Sequence, residues 1–551
     1  MINNTYYNHT MLYNNIIDEN QLIDQYYRLS PDPNNHKEHK IIFGTSGHRG
    51  SANQYSFNEA HVLAISQSIV YVRKQYGITG PCYIGRDTHI LSKPAFISVL
   101  EVLAGNFVDI IIQEDHGYAP SPVISHAILV YNKHQQNSNR SIADGIIITS
   151  SHNPPGDGGI KYSSMFGGPA SDYITRAIES IANKFLINNL RDVNRVTLNQ
   201  AWKSGYIHSQ NFIKDYVSSL STVINMQAIK TSGLKLKVNP LSGSSIECWQ
   251  NIIQNYQLNL TIVNEDVDRN FSFMYPDTDG HIRIDCSSEL TLKKIIPTSQ
   301  DFDLFFINDP DCDRHGIITN LGLMSSHNYF PIAINYLFRN RMHWNNLILS
   351  IGKTNISTII INRIAHNLNR QLLEVPVGFK WFVTRLFNSQ LGFAGEDSAG
   401  ASFLDYYGEP WSTDKDGLIM CLLAAEIVST TNQNLQDYYN QLSRNFDFSN
   451  YNRTQIVINH IQKSFILRTL YNQMIITELA GDPVIKIENI LPFTNYMSMN
   501  GIKIITRNGW IACRLSGTEL LYKIYCESFI GKEHRCIMEQ EIIKKIYNII
   551  N

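Results

Sequence analysis

The sequence predicts an α/β protein built from several domains. With 551 residues, the chain is too long for one hydrophobic core, and three or four domains are expected. Apolar runs typical of buried strands alternate along it with stretches of helical period. This alternation predicts βαβ units and largely parallel sheets. Several apolar runs end in polar, glycine-rich turns, which is where α/β enzymes place their chemistry.

The rest of the chain fits this organisation. Residues 1–39 match the pattern poorly: a short helix is expected over Leu22 to Leu29, and the run Pro31 to Asn35 predicts a linker. Helical spacing of apolar residues predicts three helices further on, over Phe57 to Tyr76, Gly417 to Val428 and Glu533 to Ile550. The last of these is amphipathic and is expected to close the final domain.

Composition excludes several classes of function. A net charge of -2 leaves no basic surplus for binding nucleic acid or an anionic membrane. Positive charge for an anionic substrate would therefore have to be concentrated in a cleft.

The sequence shows neither a long apolar run nor a secretory leader, so a soluble cytoplasmic protein is expected. The eight cysteines are scattered, which disfavours a disulfide framework or a structural zinc site.

The first polar turn, Thr149 to Tyr162, follows the apolar run Gly145 to Ile148. Ser151 stands there beside His152, and Lys161 follows ten residues later. These side chains could handle the proton of a serine nucleophile and hold a phosphate. The Ser, Asn, Pro and Gly residues of the segment are also common turn formers, so an ordinary loop explains it equally well.

The second polar turn, Asn308 to Gly316, carries three alternating carboxylates from Asp309, Asp311 and Asp313. An extended turn can gather them around one hard divalent cation. A calcium-sensor loop is excluded, because Arg314 occupies the position that needs glycine. A solvated acidic turn is less favoured, since three unpaired carboxylates beside an apolar strand repel one another.

Two further turns have weaker signals. Gly395 to Gly400 offers acceptors and a hydroxyl suited to reading sugar hydroxyls. Arg514 to Glu519 combines a guanidinium, two hydroxyls and a glycine, which together could cradle a phosphate. A β-hairpin turn explains Ser516 to Thr518 about as well.

Taken in this order, the four turns resemble the active-site loops of the α-D-phosphohexomutase superfamily, and most of all those of its bacterial phosphoglucomutase branch. The resemblance covers roughly residues 40 to 551. It includes four further segments: Phe43 to Gly50, Gly85 to His89, Val375 to Phe382 and Thr413 to Gly417.

The resemblance implies three related mixed α/β domains and a distinct C-terminal α+β domain around a central cleft. The implied division of the chain is an N-terminal extension over 1–39, a phosphoserine domain over 40–203, a metal-binding domain over 204–320, a sugar-binding domain over 321–440 and a phosphate-binding domain over 441–551.

It also implies roles for individual residues. The catalytic positions of the family correspond to Ser151, Lys161, Arg49, His152 and Lys415. Substrate binding is expected from Glu396, Ser398, Lys380, Arg514, Ser516, Gly517 and Thr518. Ser151 would be the phosphoserine and would bind Mg²⁺ together with Asp309, Asp311 and Asp313. Proton transfer needs a group whose pKa is lowered by cationic surroundings, for which Lys161 and Lys415 are the candidates, while Arg49 and His152 are expected to supply charge and hydrogen bonds.

The implied reaction interconverts glucose 1-phosphate and glucose 6-phosphate, with glucose 1,6-bisphosphate as intermediate and activator. A monomer or homodimer acting on a hexose phosphate, without nucleic acid or membrane partners, is expected. The alternatives are a related activity on mannose or glucosamine phosphates, a phosphatase, and a non-catalytic phosphosugar-binding or interaction protein on the same fold. The mannose and glucosamine branches tend to carry His after Glu-x-Ser-Gly, where this chain has Ala399 and Gly400.

The chain departs from the family pattern at four positions. Asp397 stands where Glu is usual, Leu515 where Pro is usual, Ser150 where Pro is frequent, and Ser242 where a glycine is expected. Ser150 adds a neighbouring hydroxyl and leaves the identity of the phosphorylated serine open on chemistry alone. Only the alignment of Ser-His-Asn-Pro favours Ser151.

Overall fold

The computed structural model describes residues 16–44, 46–135, 141–297, 301–446, 449–466, 476–489, 501–515 and 521–550. Four β-sheets follow one another along this part of the chain, and the segments that build them are called units I to IV. Within these ranges no helix is both long enough and apolar enough to cross a bilayer.

Unit I begins with helix α1 (Glu19–Arg28). The Asp18 carboxylate accepts hydrogen bonds from the backbone N–H groups of Asn20 and Gln21, which caps the helix. Leu22 and Tyr26 are buried in the core of unit I. The helix expected in this part of the N-terminal segment is therefore present, and its inner face belongs to the first hydrophobic core.

The remaining elements of unit I form a six-stranded mixed sheet flanked by helices. Its strands are β1 (His48–Ser51), β2 (Cys82–Arg86), β3 (Ile110–Gln113), β4 (Asp144–Ile148), β5 (Asp157–Ser163) and β6 (Ile207–Gln210). Its helices are α2 (Glu59–Gln75), α3 (Ser92–Gly105), α4 (Ser121–Gln135), α5 (Asp172–Ile187) and α6 (Leu198–Lys203). The strand order is β1-β5-β4-β2-β3-β6, with β5 antiparallel to both of its neighbours.

Unit II has a five-stranded sheet in the order β11-β10-β9-β7-β8. Its elements are α7 (Phe212–Ser219), α8 (Met226–Ser232), β7 (Leu236–Asn239), α9 (Ile246–Tyr256), β8 (Leu260–Ile262), β9 (Leu304–Asn308), β10 (His315–Thr319) and β11 (Gly322–Met324). Strand β7 is parallel to β8 and β9, whereas β10 is antiparallel to β9 and β11.

Unit III has a four-stranded sheet in the order β13-β12-β14-β15. Its elements are α10 (Ser326–Asn340), β12 (Ser350–Thr354), α11 (Ile360–Asn367), β13 (Leu372–Val375), α12 (Val383–Phe387), β14 (Leu391–Glu396), β15 (Gly400–Phe403), α13 (Gly417–Thr431) and α14 (Leu435–Asn445). Residues Gly417 to Ile427 of α13 are buried. This helix packs against both β15 of its own unit and β9 and β10 of unit II, so units II and III share a core.

Unit IV differs from the others in having an entirely antiparallel sheet, in the order β16-β21-β20-β19-β18-β17. Its elements are β16 (Asn450–Val457), α15 (His460–Phe465), β17 (Glu478–Leu479), β18 (Asp482–Asn489), β19 (Gly501–Thr506), β20 (Gly509–Leu515), β21 (Leu521–Ser528) and α16 (Lys532–Ile550). The expected amphipathic last helix is confirmed, and Met538, Ile542 and Ile546 form its buried face.

Units I to III share one structural feature that positions the site. In each, a strand with a parallel neighbour is joined by a short loop to an antiparallel return strand: β4 to β5, β9 to β10 and β14 to β15. Each of the three sheets is consequently mixed. It contains the parallel strand pairs that the alternation predicts, together with antiparallel pairing at one edge. Three of the polar turns singled out in the sequence are these loops.

We expect the N-terminal helix to contribute to stability. Tyr26 is fully buried, and its hydroxyl donates a hydrogen bond to Ser98 Oγ at 3.1 Å. Tyr26→Ala should therefore lower the free energy of unfolding by about 3–5 kcal/mol. The neighbouring Tyr27 is 42% exposed, and Tyr27→Ala should cost less than about 1 kcal/mol. Urea denaturation followed by circular dichroism measures both, and equal losses would contradict this account.

Candidate active site

The three hairpin loops meet at a central cleft that unit IV covers. All four units line it. Its walls carry six basic side chains: Arg49, Arg314, Lys415, Arg453, Arg514 and Lys523. Glu396 and Asp397 are its acidic residues within the described part of the chain. The cleft therefore concentrates positive charge, as the sequence predicted for a protein of small net charge with an anionic substrate.

Ser151 lies at the end of β4 and is fully buried. Its Oγ donates a hydrogen bond to Asp309 Oδ2 at 3.1 Å. Its backbone has φ of 58°, in the left-handed region that L-residues other than Asn and Asp rarely adopt. The Ser150 hydroxyl, also buried, has no hydrogen-bond partner among the described residues. The structure thus brings Ser151, and not Ser150, to the aspartates.

Asp309, Asp311 and Asp313 form a buried carboxylate cluster whose nearest oxygens all lie within 4.8 Å of one another. Cys312, also buried, turns the chain between the last two with φ of 57°. One oxygen of Asp311 and one of Asp313 have no hydrogen-bond partner among the described residues. Burial, and then the neighbouring carboxylates, raise the pKa of Asp309 well above its usual range. An oxygen-only cluster with unused acceptors fits a hard divalent cation.

Two lysines from other units approach this cluster. Lys161 Nζ, on β5, donates to Asp311 Oδ2 at 2.5 Å and to Asp313 Oδ2 at 3.0 Å. Lys415 Nζ, just before α13, lies 3.1 Å from Asp313 Oδ2. Gly400 makes room for this second lysine, because a Cβ there would lie 2.2 Å from Lys415 Cδ.

The lysine pKa values correct one expectation. Burial alone would lower the pKa of Lys161, but Asp311 and Asp313 outweigh it, and the pKa is raised. Burial acts in the same way on Lys415, and Asp313 and Glu396 raise its pKa above the ordinary value. The lowered pKa predicted for both lysines from cationic surroundings is wrong for this structure, because their nearest charged neighbours are carboxylates.

Arg49 and His152 both reach the cleft from unit I. The Arg49 guanidinium donates to Asn153 Oδ1 at 3.2 Å and to Ser46 Oγ at 2.9 Å. Burial, followed by the charges of Arg314 and Arg49, holds the pKa of His152 well below its usual range. His152 is therefore neutral and offers hydrogen bonding, whereas the charge that it was also expected to supply is absent.

The sugar-loop candidates lie on β14 and after it. Glu396 Oε1 accepts a hydrogen bond from the Gly378 backbone N–H at 2.7 Å, and its Oε2 lies 3.5 Å from Lys415 Nζ. Ser398 lines the cleft beside it. Lys380 instead forms an ion pair with Asp172 of unit I. Among the predicted substrate-binding residues, Lys380 is thus already paired with a protein carboxylate.

The phosphate-loop candidates are described only in part. Arg514 lines the cleft, and its Nη2 donates to the Tyr525 hydroxyl at 2.9 Å. Its Nε is buried without a hydrogen-bond partner among the described residues. Ser516, Gly517 and Thr518 lie outside the described residues, so their place in the site stays a prediction.

Three basic residues of the cleft were missed by sequence reasoning. Arg314 directly follows the aspartate loop and was considered only as evidence against a calcium site. Lys523 interrupts the apolar strand β21 with a charge, which is a usable signal. Arg453 lies in the polar strand β16 and has no local signal, because its position in the cleft depends on how unit IV packs on the other units.

Comparison with known proteins gives the family. Residues 40–186, 214–322 and 325–446 match the models of α/β/α domains I, II and III of the phosphoglucomutase/phosphomannomutase family. A phosphoglucomutase of Komagataeibacter xylinus is 44% identical over 527 residues, which cover 96% of this chain and 94% of that protein.

Solved structures agree on the fold. The open form of Paramecium pp63/parafusin, a phosphoglucomutase, has a TM-score of 0.71 at 18% identity and covers 95% of each chain. A phosphoglucomutase/phosphomannomutase family protein of Burkholderia thailandensis has a TM-score of 0.66 at 18% identity, covering 92% of this chain and 97% of that one.

The chain belongs to the phosphoglucomutase/phosphomannomutase family. The predicted superfamily and fold class are thereby confirmed. The predicted domain boundaries and the roles of individual site residues stay predictions.

Proposed function

We propose that the protein is a phosphoglucomutase that interconverts glucose 1-phosphate and glucose 6-phosphate through phospho-Ser151 and glucose 1,6-bisphosphate. The similarity to the Komagataeibacter xylinus phosphoglucomutase over nearly the whole chain supports this activity. The observation that carries the mechanism is the 3.1 Å contact of Ser151 Oγ with Asp309 inside a buried aspartate cluster. A phosphatase is disfavoured, because the serine is buried away from water.

A phosphoryl group on Ser151 would bring about -1.5 to -2 charges into a buried site, which must be balanced before an electron-rich sugar hydroxyl can approach. Lys161 and Arg49 are the cations of unit I at this position. Lys161 is held by two aspartates, and Arg49 is held by Asn153 and Ser46. Their places are therefore fixed before substrate arrives, which lowers the cost of stabilising the transferring group.

Asp309, Asp311, Asp313 and Ser151 would hold Mg²⁺. When bound, Mg²⁺ would act as a Lewis acid on the transferring phosphoryl group and would balance the carboxylate charge that now raises the pKa of the two lysines. Lys161 and Lys415 would be the groups that give or take the sugar hydroxyl proton. His152, being neutral, can accept or donate one hydrogen bond at the same cleft.

The opposite end of the substrate would be bound by unit IV. Arg514, whose Nε is without a hydrogen-bond partner among the described residues, would bind the phosphate that does not react. Lys523 and Arg453 add charge to that wall. Glu396, fixed by the Gly378 N–H, would accept hydrogen bonds from the sugar hydroxyls between the two ends. The intermediate glucose 1,6-bisphosphate could then present either of its two phosphates to the same cations.

The remaining parts of the proposal are a cytoplasmic location and action as a monomer or homodimer without nucleic acid or membrane partners. The small net charge supports the absence of an electrostatic nucleic-acid or membrane surface. A coupled assay of the purified protein with Mg²⁺ and glucose 1-phosphate, primed with glucose 1,6-bisphosphate, tests the activity. Absence of glucose 6-phosphate formation under these conditions would refute it.

We expect Ser151→Ala to lower kcat by at least about 10³-fold, because the covalent acceptor is removed. Ser150→Ala is the matched control and should stay within about threefold of the wild type, since the Ser150 hydroxyl makes no hydrogen bond to the aspartates. Peptide mapping after incubation with glucose 1,6-bisphosphate should find phosphate on Ser151. Phosphate on Ser150 would overturn the assignment.

We expect Asp311→Asn to weaken Mg²⁺ binding by at least about tenfold and to lower turnover with little change in thermal stability, because a charge is lost from a cluster suited to a cation. Asp192→Asn, at an exposed position, should change neither quantity. Isothermal titration with Mg²⁺ and assays across Mg²⁺ concentrations measure the effect. Equal turnover in excess EDTA and in Mg²⁺ would remove the metal from the mechanism.

We expect glucose phosphates to be preferred, with slower conversion of mannose phosphates, because Glu396 need not face the 2-hydroxyl. Glu396→Ala should lower kcat/KM for both sugars. Arg514→Ala should raise KM for either monophosphate by about 10- to 100-fold, as expected for losing a hydrogen bond to a charged group, whereas Arg507→Ala, at an exposed position, should not. A higher kcat/KM for glucosamine 6-phosphate would refute the glucose assignment and leave the mutase mechanism standing.

A further inference from the structure

Asp87 is a fully buried carboxylate at the end of β2 that does not line the cleft. Four hydrogen-bond donors converge on its two oxygens. Its Oδ2 accepts from the Thr149 hydroxyl at 2.5 Å and from His89 Nδ1 at 2.8 Å. Its Oδ1 accepts from the His89 backbone N–H at 3.0 Å and from the Ser92 hydroxyl. The hydrogen-bonding capacity of this buried carboxylate is therefore satisfied, and two of its donors, Thr149 and His89, also contact the loop that carries Ser151.

The Thr149 hydroxyl connects this carboxylate to the reacting serine. Its proton is directed to Asp87, since an ionised carboxylate only accepts. The same hydroxyl oxygen is then free to accept the Ser151 backbone N–H, at 2.7 Å. Ser151 has the left-handed φ of 58°, a conformation that persists only where surrounding contacts determine it. The direction of the Thr149 hydroxyl is therefore one contact that selects this conformation.

His89 connects the same carboxylate to the other side of the loop. Its Nε2 lies 3.2 Å from the Asn153 carbonyl oxygen, two residues after the serine. Burial alone would lower the pKa of His89, but Asp87 raises it above its ordinary value, so both ring nitrogens can donate. Asn153 in turn accepts from Arg49 through its side chain. Asp87 thus holds the loop before and after Ser151.

We propose that Asp87 is a positioning residue for phosphoryl transfer, acting through Thr149 on the backbone conformation of Ser151. The inference rests on the proposed role of Ser151 as the phosphoryl carrier. Asp87 touches neither the cleft nor the aspartate cluster, so it affects the rate by keeping the Ser151 hydroxyl directed at Asp309. An amide at position 87 would offer one acceptor oxygen to four donors, and the Thr149 hydroxyl would lose its defined direction.

The test compares Asp87→Asn, Thr149→Val and the double variant in the full-length protein. Each single variant should lower kcat about 10- to 100-fold and change KM for glucose 1-phosphate less than about threefold, because a small misplacement of a reacting group is enough for such a loss. The double variant should lose no more than the worse single variant, since both changes interrupt one chain of contacts. Thr149→Ser keeps the hydroxyl and should restore turnover to within about threefold of the wild type.

A second measurement separates positioning from folding. The rate at which glucose 1,6-bisphosphate phosphorylates Ser151, followed by intact mass, should fall with kcat in protein whose circular dichroism spectrum is native. Unchanged kcat per folded molecule, multiplicative losses in the double variant, or failure of Thr149→Ser to restore turnover would overturn the proposal. If Asp87→Asn does not fold, the Val and Ser variants of Thr149 decide the question.

Failure of the underlying function is distinguishable from failure of this inference. A wild type that neither converts glucose 1-phosphate nor becomes phosphorylated on Ser151 would refute the proposed function itself. An active, phosphorylated wild type whose kcat is insensitive to position 87 would refute only the positioning role.

Discussion

The mutual repulsion of three buried carboxylates is the constraint on which the site depends. Asp309, Asp311 and Asp313 place their oxygens within 4.8 Å of one another where water cannot screen them. Unit II supplies Arg314 beside them, at 3.6 Å and 3.7 Å from the nearest carboxylate oxygens. The closer cations come from the neighbouring units: Lys161 from unit I and Lys415 from unit III. The charge balance of the cluster is therefore complete only when the three units are assembled, and the same assembly forms the cleft.

The same left-handed backbone conformation recurs in three loops around the aspartate cluster. Each of the three hairpin loops contains a small non-glycine residue in the left-handed region: Ser151, Cys312 and Ala399, with φ of 58°, 57° and 63°. Such residues cost on the order of 1–3 kcal/mol each and persist where the surroundings determine them. In unit I the strained residue is the candidate nucleophile itself. In unit II it is the buried residue between two aspartates, and in unit III it follows Glu396, Asp397 and Ser398, which line the cleft. The repeat is therefore visible in backbone conformation although it is not visible in sequence.

The features that depend on local sequence pattern could be predicted from the sequence alone. The alternation of strands and helices, the first three polar loops and the spacing of the aspartates all follow from residue order, and the structure places them as expected. What sequence reasoning missed depends on contacts between units. The pKa of Lys161 depends on aspartates 150 and 152 residues away, and Lys380 pairs with Asp172, which is 208 residues away. The choice between Ser150 and Ser151 depends on backbone direction, which a pair of identical side chains does not reveal. Arg453 enters the cleft only because unit IV packs there.

The packing of unit IV against unit III determines the position of a second part of the site. This part is the cleft wall that carries Arg514 and Lys523. Glu527 of β21 is fully buried and accepts hydrogen bonds from the Ile359 N–H of unit III at 3.0 Å and from Trp510 Nε1 at 2.7 Å, together with the Thr358 hydroxyl. The apolar contact beside it is small, with Ile356, Trp510, Ala512 and Tyr525 as its buried members. Hydrogen bonds to one carboxylate have directional requirements that a small apolar patch lacks. The positions of Arg514 and Lys523 in the cleft therefore depend on directional contacts at a buried carboxylate of the same unit.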